Sequence, residues 1–294
     1  AVVGSVDDEC NQNGDTVFDG SAVGYLDVHQ VEPDHCSDIQ ELCRSYPIKM
    51  SVGHLKHIQM MRQCFECCTF EDSFQEVKEG DELILGRHTL RFFMAPMVHW
   101  PEVMFSYETT QKLLFTADAF GTFGAFSGNI FNDEMDFGEQ FLGEARRYYT
   151  NIVGKYGAQV QAILSKVPVE ELAMICPLHG PIWRNNLGYI IDKHQHWSSY
   201  TPEEQGVVIA YGSMYGHTEN AAQLLGTMLA ERGVTGIHMF DLSKTHVPYV
   251  IAEIFRYSHL VLAAPTYHMG LYLPVAHLMH DMAALNVQNR AVAL

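Results

Sequence analysis

The sequence predicts two domains of different fold class, an α+β domain followed by an α/β domain. The chain has 294 residues, enough for two domains of about 150 residues each. Its composition, 47% apolar and 18% charged residues, is typical of globular proteins. Strand and helix patterns are grouped before about residue 203 and alternate after it. We therefore place the first domain at residues 1–200 and the second at residues 205–294.

Charge and cysteine content restrict the partners and the compartment. The chain has 18 Lys and Arg against 35 Asp and Glu, a net charge of −17, and so acidic a surface repels phosphate backbones and anionic membranes. Seven irregularly spaced cysteines do not resemble a secreted disulfide framework. No apolar run approaches the about 18 residues of a membrane span, and no signal sequence is evident. We expect a cytoplasmic protein that binds neither nucleic acid nor membrane.

The first part of the chain combines strands with a long helical pattern. Four short apolar runs predict antiparallel strands: Glu82–Leu85, Thr89–Phe93, Val103–Tyr107 and Lys112–Thr116. Apolar residues then recur at helical spacing between Glu139 and Lys166, with a possible interruption at Gly154 or Gly157. Strands and helices in separate groups are typical of α+β domains.

The second part of the chain begins after a polar linker at residues 198–205. Strands and a helix follow in alternation: a strand at Val207–Tyr211, a helix at Thr218–Arg232 closed by Gly233, and strands at Ile237–Leu242 and Leu260–Ala264. This alternation predicts a parallel sheet wound with helices. The first residue is Ala rather than Met, and residues 290–294 resemble a strand that has just begun, so we expect a piece of a longer protein.

The densest cluster of metal-binding side chains lies at residues 29–35. Glu32 and Asp34 are two apart, so on an extended chain both carboxylates point into one cavity, and His35 turns in from the loop. Further candidates adjoin Pro or Gly farther along the chain: His99, Asp118 and His179. Mixed carboxylate and imidazole ligands suit iron better than structural zinc. Each residue taken singly also fits a structural role, as a turn aspartate or a histidine beside Trp100 or Trp183.

Two loops in the second part are candidates for a ligand site. Ser213–Asn220 joins a strand to a helix, and its hydroxyls, backbone N–H groups and helix N-terminus suit a phosphate. Ordinary N-capping by Thr218 is the alternative. Ala264–Gly270 follows the third strand at the same edge of the predicted sheet.

Several of these segments resemble the diiron domain of the flavodiiron proteins, also called A-type flavoproteins. The similar segments are Glu32–His35, Ala95–Pro101, Asp118 and Cys176–Pro181, and the resemblance extends over about residues 24–294. Asp118 follows His99 by 19 positions and His179 follows Asp118 by 61, in the order of the family's ligands. The resemblance implies a metallo-β-lactamase-like αββα sandwich with two iron ions. One iron is expected to take Glu32 and His99, the other Asp34, often His35, and His179, with Asp118 as the bridge; no further catalytic residue is implied.

One position departs from the family pattern. The pattern has a histidine two residues before Glu32, where this chain has Gln30, and His29 is one residue out of register. A one-residue slip on a strand turns a side chain to the opposite face. Either Gln30 binds through its amide oxygen or a bulge brings in His29; the sequence leaves both open.

Both loops of the second part resemble the FMN-binding loops of the same family. The implied phosphate loop is Ser213, Met214, Tyr215, Gly216, His217 and Thr218, and the implied isoalloxazine loop is Pro265, Thr266, Tyr267, His268 and Gly270. Tyr267 is expected to stack on the flavin, and His217 and His268 stand where the family commonly has Asn. Since the chain ends within the fourth strand, we expect a C-terminally truncated flavodoxin-like sheet and an incomplete N-terminal part of the first domain. Whether this chain binds FMN stays open.

The resemblance implies an oxidoreductase in which FMN passes electrons to a diiron centre that reduces O2 to water or NO to N2O. It also implies a head-to-tail homodimer and an electron donor such as rubredoxin or another reductase. The sequence does not choose between O2 and NO. A zinc-dependent hydrolase of the metallo-β-lactamase superfamily is one alternative, disfavoured by Glu32 and the flavodoxin-like half. A non-catalytic remnant is the other, suggested by Gln30 and the chain end.

Overall fold

The computed structural model describes residues 24–46, 48–64, 74–126 and 128–294. The predicted N-terminal edge of the first domain, residues 1–23, lies outside them. The chain divides into two compact units. The first contains the described residues up to Gly121 together with Ala125–Met135 and Ala162–Leu187, and the second contains Thr122–Gly124, Asp136–Gln161 and Gly188–Leu294.

The first unit contains two sheets. The first sheet is parallel, in the order β1 (Tyr25–Asp27), β2 (Met50–Gly53) and β3 (Phe74–Glu76). The second runs in the order β4 (Glu82–Leu85), β5 (His88–Met94), β6 (Met104–Glu108), β7 (Leu113–Phe115) and β8 (Met174–Cys176). The helices before β4 are α1 (Pro33–Cys36), α2 (Ile39–Ser45) and α3 (Leu55–Cys64). β4 to β7 pair antiparallel, which confirms the predicted strands, and β7 pairs parallel with β8.

A shared apolar core joins the two sheets of the first unit. Val52 from β2 packs in one buried cluster with Phe92 from β5 and Met104 from β6. Burying a side chain of this size contributes about 1.5–3 kcal/mol, so each sheet stabilises the other. The predicted sandwich class is confirmed.

The second unit is built on a four-stranded parallel sheet. Its strands are β9 (Glu204–Tyr211), β10 (Ile237–Asp241), β11 (Tyr257–Ala263) and β14 (Ala291–Ala293), with a small hairpin of β12 (Thr266–Tyr267) and β13 (Gly270–Leu271). The remaining α-helices in the described ranges are α4 (Phe137–Gln140), α5 (Leu142–Tyr148), α6 (Gly157–Lys166), α7 (Leu187–Ser198), α8 (His217–Glu231), α9 (Val247–Arg256) and α10 (Leu273–Ala284). The strand order β10-β9-β11-β14 is the 2-1-3-4 order of flavodoxin-like sheets. The predicted α/β class is confirmed. Among the helices of the described residues, none combines the length and the hydropathy of a membrane span.

The predicted long helix between Glu139 and Lys166 is interrupted. A π-helical turn at Tyr149–Val153 and a 3-10 turn at Gly154–Tyr156 separate α5 from α6. The predicted interruption at Gly154 is confirmed, although the irregularity already begins at Tyr149. At Gly157 a Cβ atom would lie 2.3 Å from the carbonyl oxygen of Ser198, so only glycine fits this close approach.

Candidate metal centre and flavin loops

The segment after β1 sends neighbouring side chains in opposite directions. His29 Nε2 lies 3.0 Å from Asp27 Oδ2 and 2.9 Å from Ser106 Oγ, and Ser106 Oγ donates to Asp27 at 2.6 Å. Gln30 points the other way, toward Glu32 and Asp118. The structure therefore answers the open question about register: Gln30 stands at the position of the missing histidine, and His29 belongs to a separate buried network.

Four side chains meet in a first donor group. Gln30 Nε2 donates to Glu32 Oε2 at 2.7 Å and to Asp118 Oδ2 at 2.8 Å. His99 Nε2 lies 3.1 Å from the same Glu32 oxygen and 3.0 Å from the same Asp118 oxygen. A single carboxylate oxygen of each acid is thus shared between an amide and an imidazole.

A second donor group lies on the other oxygen of Asp118. His35 Nε2 is 2.8 Å from Asp118 Oδ1, and His179 Nε2 is 3.6 Å from it. Asp34 Oδ2 lies 3.2 Å from His179 and 3.6 Å from His35. Asp118 therefore presents one oxygen to each group, which is the arrangement of a bridging carboxylate.

Local folding explains why these residues meet, and it corrects one expectation. The chain is not extended through Asp34, because helix α1 begins at Pro33, a residue preset for the first helical position. Glu32 therefore faces the first donor group and Asp34 faces the second. The expectation that both carboxylates point into one cavity is wrong. Asp118 and His179 follow the parallel neighbours β7 and β8, whose carboxyl ends lie at one edge of the sheet.

The predicted phosphate loop joins β9 to α8. The helix begins at His217 with Gly216 as its N-cap, at φ +85°, and no side chain caps it. Ser213 Oγ instead accepts a hydrogen bond from Gly216 N–H at 3.0 Å. Thr218 lies within the first turn, so the interpretation of Thr218 as the N-cap is wrong.

The predicted isoalloxazine loop is the hairpin of β12 and β13. Its two central residues, His268 and Met269, have φ of 46° and 60°, as two-residue primed turns require. The half-buried Tyr267 ring packs edge-on against His268, with ring centroids 4.2 Å apart. Because β9 and β11 are parallel neighbours, the loops that follow them leave the same edge of the sheet.

Comparisons with known proteins agree with both halves of this description. A model of the ODP family beta lactamases matches residues 9–180, more than half of the chain, and a flavodoxin model matches residues 209–291. A nitric oxide reductase of Moorella thermoacetica is 31% identical over 289 residues, covering 93% of this chain and 68% of that protein. The rubredoxin:oxygen oxidoreductase of Desulfovibrio gigas superposes with a TM-score of 0.88 at 26% identity, covering 97% of this chain and 71% of that one. The flavodiiron protein of Giardia intestinalis gives the same TM-score at 22% identity, over 98% and 71% of the two chains, a likeness of fold.

The chain belongs to the flavodiiron protein family. It spans 55% to 68% of the length of the curated relatives it matches. All six side chains predicted as metal ligands lie in the two donor groups just described. Their role as ligands stays a prediction, as does the role of the two loops in flavin binding.

The donor groups of this flavodiiron protein form a negatively charged cage. Burial raises the pKa of Asp118, but hydrogen bonds to His35 and His99 outweigh burial and hold that pKa well below its usual range. Burial lowers the pKa of His99, yet its contacts with Asp118 and Glu32 raise that pKa to about 9. Among the described residues the ion pairs of Glu32, Asp34 and Asp118 are with histidines, none with Lys or Arg. The cage therefore favours bound positive charge.

The spacing and chemistry of the donors fit a pair of divalent ions. In the first group His99 Nε2 lies 3.0–3.1 Å from the oxygens of Asp118 and Glu32, and adjacent ligands about 2.1 Å from an octahedral ion are about 3.0 Å apart. In two sets of three side chains, one ligand atom from each residue lies within 4.8 Å of the other two: Asp34, His35 and His179, and Glu32, His35 and Asp118. Carboxylate with imidazole is a donor set suited to iron.

Glu102 is a supporting residue that the sequence interpretation missed. Its Oε1 accepts a hydrogen bond from Val31 N–H at 2.8 Å, so it holds the backbone between Gln30 and Glu32. The other oxygen, Oε2, is buried without a hydrogen-bond partner, and burial raises the pKa of this carboxyl. Its place three residues after His99 is the only sequence signal, and Val31 is 71 positions away.

Proposed function

We propose that this flavodiiron protein holds two iron ions in its first unit and FMN in its second, and that it reduces O2 to water or NO to N2O. The observation that carries the proposal is Asp118, whose two oxygens face two separate donor groups. The relatives named nitric oxide reductase and rubredoxin:oxygen oxidoreductase support the reaction class.

In this proposal the side chains have distinct binding roles. Glu32 and His99 hold the first iron, Asp34, His35 and His179 hold the second, and Asp118 bridges them. When bound, the two ions supply a paired site for a small oxidant, and FMN supplies the electrons. The Asp118 carboxylate, which is 1% exposed, would hold both ions through its two oxygens.

The proposed FMN site uses the two loops at the edge of the parallel sheet. The phosphate lies at Ser213–Thr218, where the first turn of α8 offers N–H groups and the positive end of the helix dipole. Tyr267 packs on the isoalloxazine ring, and His217 and His268 contact the flavin through their imidazoles. We assign residues 1–200 to the diiron domain and residues 205–294 to the FMN domain.

Further parts of the proposal concern partners and compartment. We expect rubredoxin or another reductase as the electron donor and a head-to-tail homodimer that brings the flavin of one chain to the irons of the other. We also place the protein in the cytoplasm. Cys43 and Cys176 are free thiols, which supports a reducing compartment.

The test is turnover of the native full-length protein after its iron and flavin have been quantified. The protein is reduced chemically under anaerobic conditions, O2 or NO is then added in separate experiments, and water or N2O formation is measured. We expect turnover with at least one gas, and its loss in Asp118→Ala. A protein that binds zinc without flavin and hydrolyses esters or amides would support the hydrolase, and one that binds neither iron nor flavin after reconstitution would indicate a remnant.

A further inference from the structure

Gln30 is the most unusual residue of the metal centre. Its side chain is 2% exposed and its Nε2 donates to two carboxylates, while its Oε1 is buried without a hydrogen-bond partner. A buried acceptor without a partner costs about 1–3 kcal/mol. The other end of the amide faces the same two carboxylate oxygens as His99 Nε2. That end, rather than the unpartnered one, is placed to bind a metal ion.

We propose that Gln30 is a metal ligand through Oε1 and that it makes the two metal positions of this protein unequal. The first position, with Gln30, binds divalent ions more weakly than the second and discriminates less against hard ions such as Mn2+. This inference rests on the proposed metal centre and adds an order of filling and a metal preference to it.

The geometry permits Gln30 to act either as a donor or as a ligand. Rotating the amide by half a turn exchanges Nε2 with Oε1, so Oε1 takes the place that is 2.7 Å from Glu32 and 2.8 Å from Asp118. Three oxygens at that spacing repel one another unless a cation lies between them. The rotation gives up the two hydrogen bonds that Nε2 donates, and a bond from Oε1 to the metal ion would replace them. At the far end one amide atom is unpartnered in either orientation.

The donor sets of the two positions then differ in kind. The first position has three oxygens, from Gln30, Glu32 and Asp118, and the single imidazole of His99. The second position has two carboxylates, Asp34 and Asp118, and the imidazoles of His35 and His179. Imidazole suits Fe, Co, Ni and Zn, whereas carboxylate and carbonyl oxygens suit Mg and Mn. A neutral amide is also a weaker donor than imidazole, so the second position fills first.

The experiment measures metal binding rather than activity. The full chain, stripped of metal, is titrated anaerobically with Co2+ and separately with Mn2+ by calorimetry, and the visible absorption of Co2+ is followed. We expect two Co2+ equivalents whose affinities differ by about tenfold or more. In Gln30→His the weaker Co2+ equivalent should tighten about tenfold while Mn2+ binding changes less than about threefold.

Three further variants separate the possible outcomes. Gln30→Leu, which has no donor, should lose the weaker equivalent and keep the tighter one, and Gln30→Glu should keep both. His179→Ala should lose the tighter equivalent. Thermal unfolding followed by circular dichroism checks that each variant is folded. If Gln30→Leu does not fold, the different changes in Co2+ and Mn2+ affinity in Gln30→His test the inference instead.

Two results would overturn the inference while leaving the proposed function intact. These are two equal Co2+ equivalents in the wild type, and a weaker equivalent that is unchanged in Gln30→Leu or in Gln30→His. A wild-type chain that binds no Co2+ at all would instead contradict the metal centre itself.

Discussion

Each unit of the molecule contains carboxylates in short ion pairs, but the partners of these carboxylates differ between the two units. In the first unit, Glu32, Asp34 and Asp118 pair with histidines. In the second unit, Glu203 pairs with the fixed cations Arg146 and Lys193. Arg and Lys keep their positive charge, so the charge of Glu203 is compensated within the protein. Histidines can lose theirs, so the carboxylates of the first unit are the ones we expect to bind a cation from solution.

The ion pairs of Glu203 in the second unit are structural by this criterion. Glu203 Oε1 accepts from Arg146 Nε at 2.5 Å and from Trp197 Nε1 at 2.7 Å, and Lys193 Nζ lies 2.7 Å from Oε2. Burial raises the pKa of Glu203, but these contacts outweigh burial and lower that pKa to about 2.

The largest effect is expected for Glu203→Gln, which leaves the buried Arg146 with only its longer contact to Glu253, at 3.4 Å, as an ion pair. We expect the free energy of unfolding to fall by about 3–5 kcal/mol, measured by urea denaturation at neutral pH. Glu134→Gln, in a half-exposed pair with Arg184, is the control and should lose less than about 1 kcal/mol. Equal losses in the two variants would contradict the structural role.

The pH dependence of this effect has a definite sign. The pKa of Glu203 is lowered in the folded protein, so its contribution is present above its ordinary pKa of 4.5 and is lost as the pH falls toward about 2. The difference in unfolding free energy between wild type and Glu203→Gln should therefore shrink over that interval. A difference that stays constant from pH 7 to pH 2.5 would show that the ionised carboxylate is not responsible.

The next largest effect is expected for Asp118→Ala in the first unit. Since Asp118 contributes an oxygen to both donor groups, we expect iron affinity to fall about a hundredfold at both positions, about 2.7 kcal/mol each. Gln30→Ala should affect the first position alone, and Asp133→Ala, a surface carboxylate paired with Arg184, should affect neither. Iron per chain measures all three variants, and equal iron in Asp118→Ala and Gln30→Ala would argue against the bridge.

A smaller effect is expected where Glu102 supports the metal centre through the backbone. Glu102→Leu removes the acceptor for Val31 N–H, and we expect metal affinity to fall about tenfold, as for other supporting contacts. Glu102→Gln keeps an amide oxygen for the same hydrogen bond and should stay within about threefold of wild type. Co2+ titration compares the two variants, and identical losses would mean that the hydrogen bond to Val31 is unimportant.

The smallest effect is expected in the hairpin of β12 and β13, where only backbone strain at an exposed residue is changed. Met269 is fully exposed, so its side chain contributes little, but its φ of 60° is unfavourable for any residue except glycine. We expect Met269→Gly to be more stable than Met269→Ala by about 0.5–1 kcal/mol. Chemical denaturation of the two variants measures this difference, and a more stable Ala variant would contradict the strain.

Local patterns predicted much of the fold because they depend on neighbours along the chain. The strands around Gly86 and the alternation after residue 205 follow from period and turn chemistry, and the structure confirms them. The close approach of Gly157 to Ser198, 41 positions later in the chain, is instead a tertiary contact that no local pattern records.

In the metal centre, too, some features could be predicted from local sequence and others depend on distant contacts. The six candidate ligands were found from motifs, but the direction of His29 depends on Ser106, 77 positions away. The support from Glu102 likewise depends on a distant backbone amide. Strand alternation predicts that His29 and Gln30 face opposite sides of the segment. Only their tertiary contacts show that Gln30 faces the metal centre and His29 faces Ser106.

The opposite directions of His29 and Gln30 also limit how this segment can vary in evolution. An insertion or deletion between β1 and α1 would exchange the inward and outward side chains, placing a metal-site residue against Ser106 and a residue of the buried Asp27 network into the cage. A substitution at residue 30 alone leaves that alternation intact. The length of this segment is therefore expected to be invariant among functional sequences, while a substitution at residue 30 is expected to change the metal chemistry without changing the direction of its neighbours.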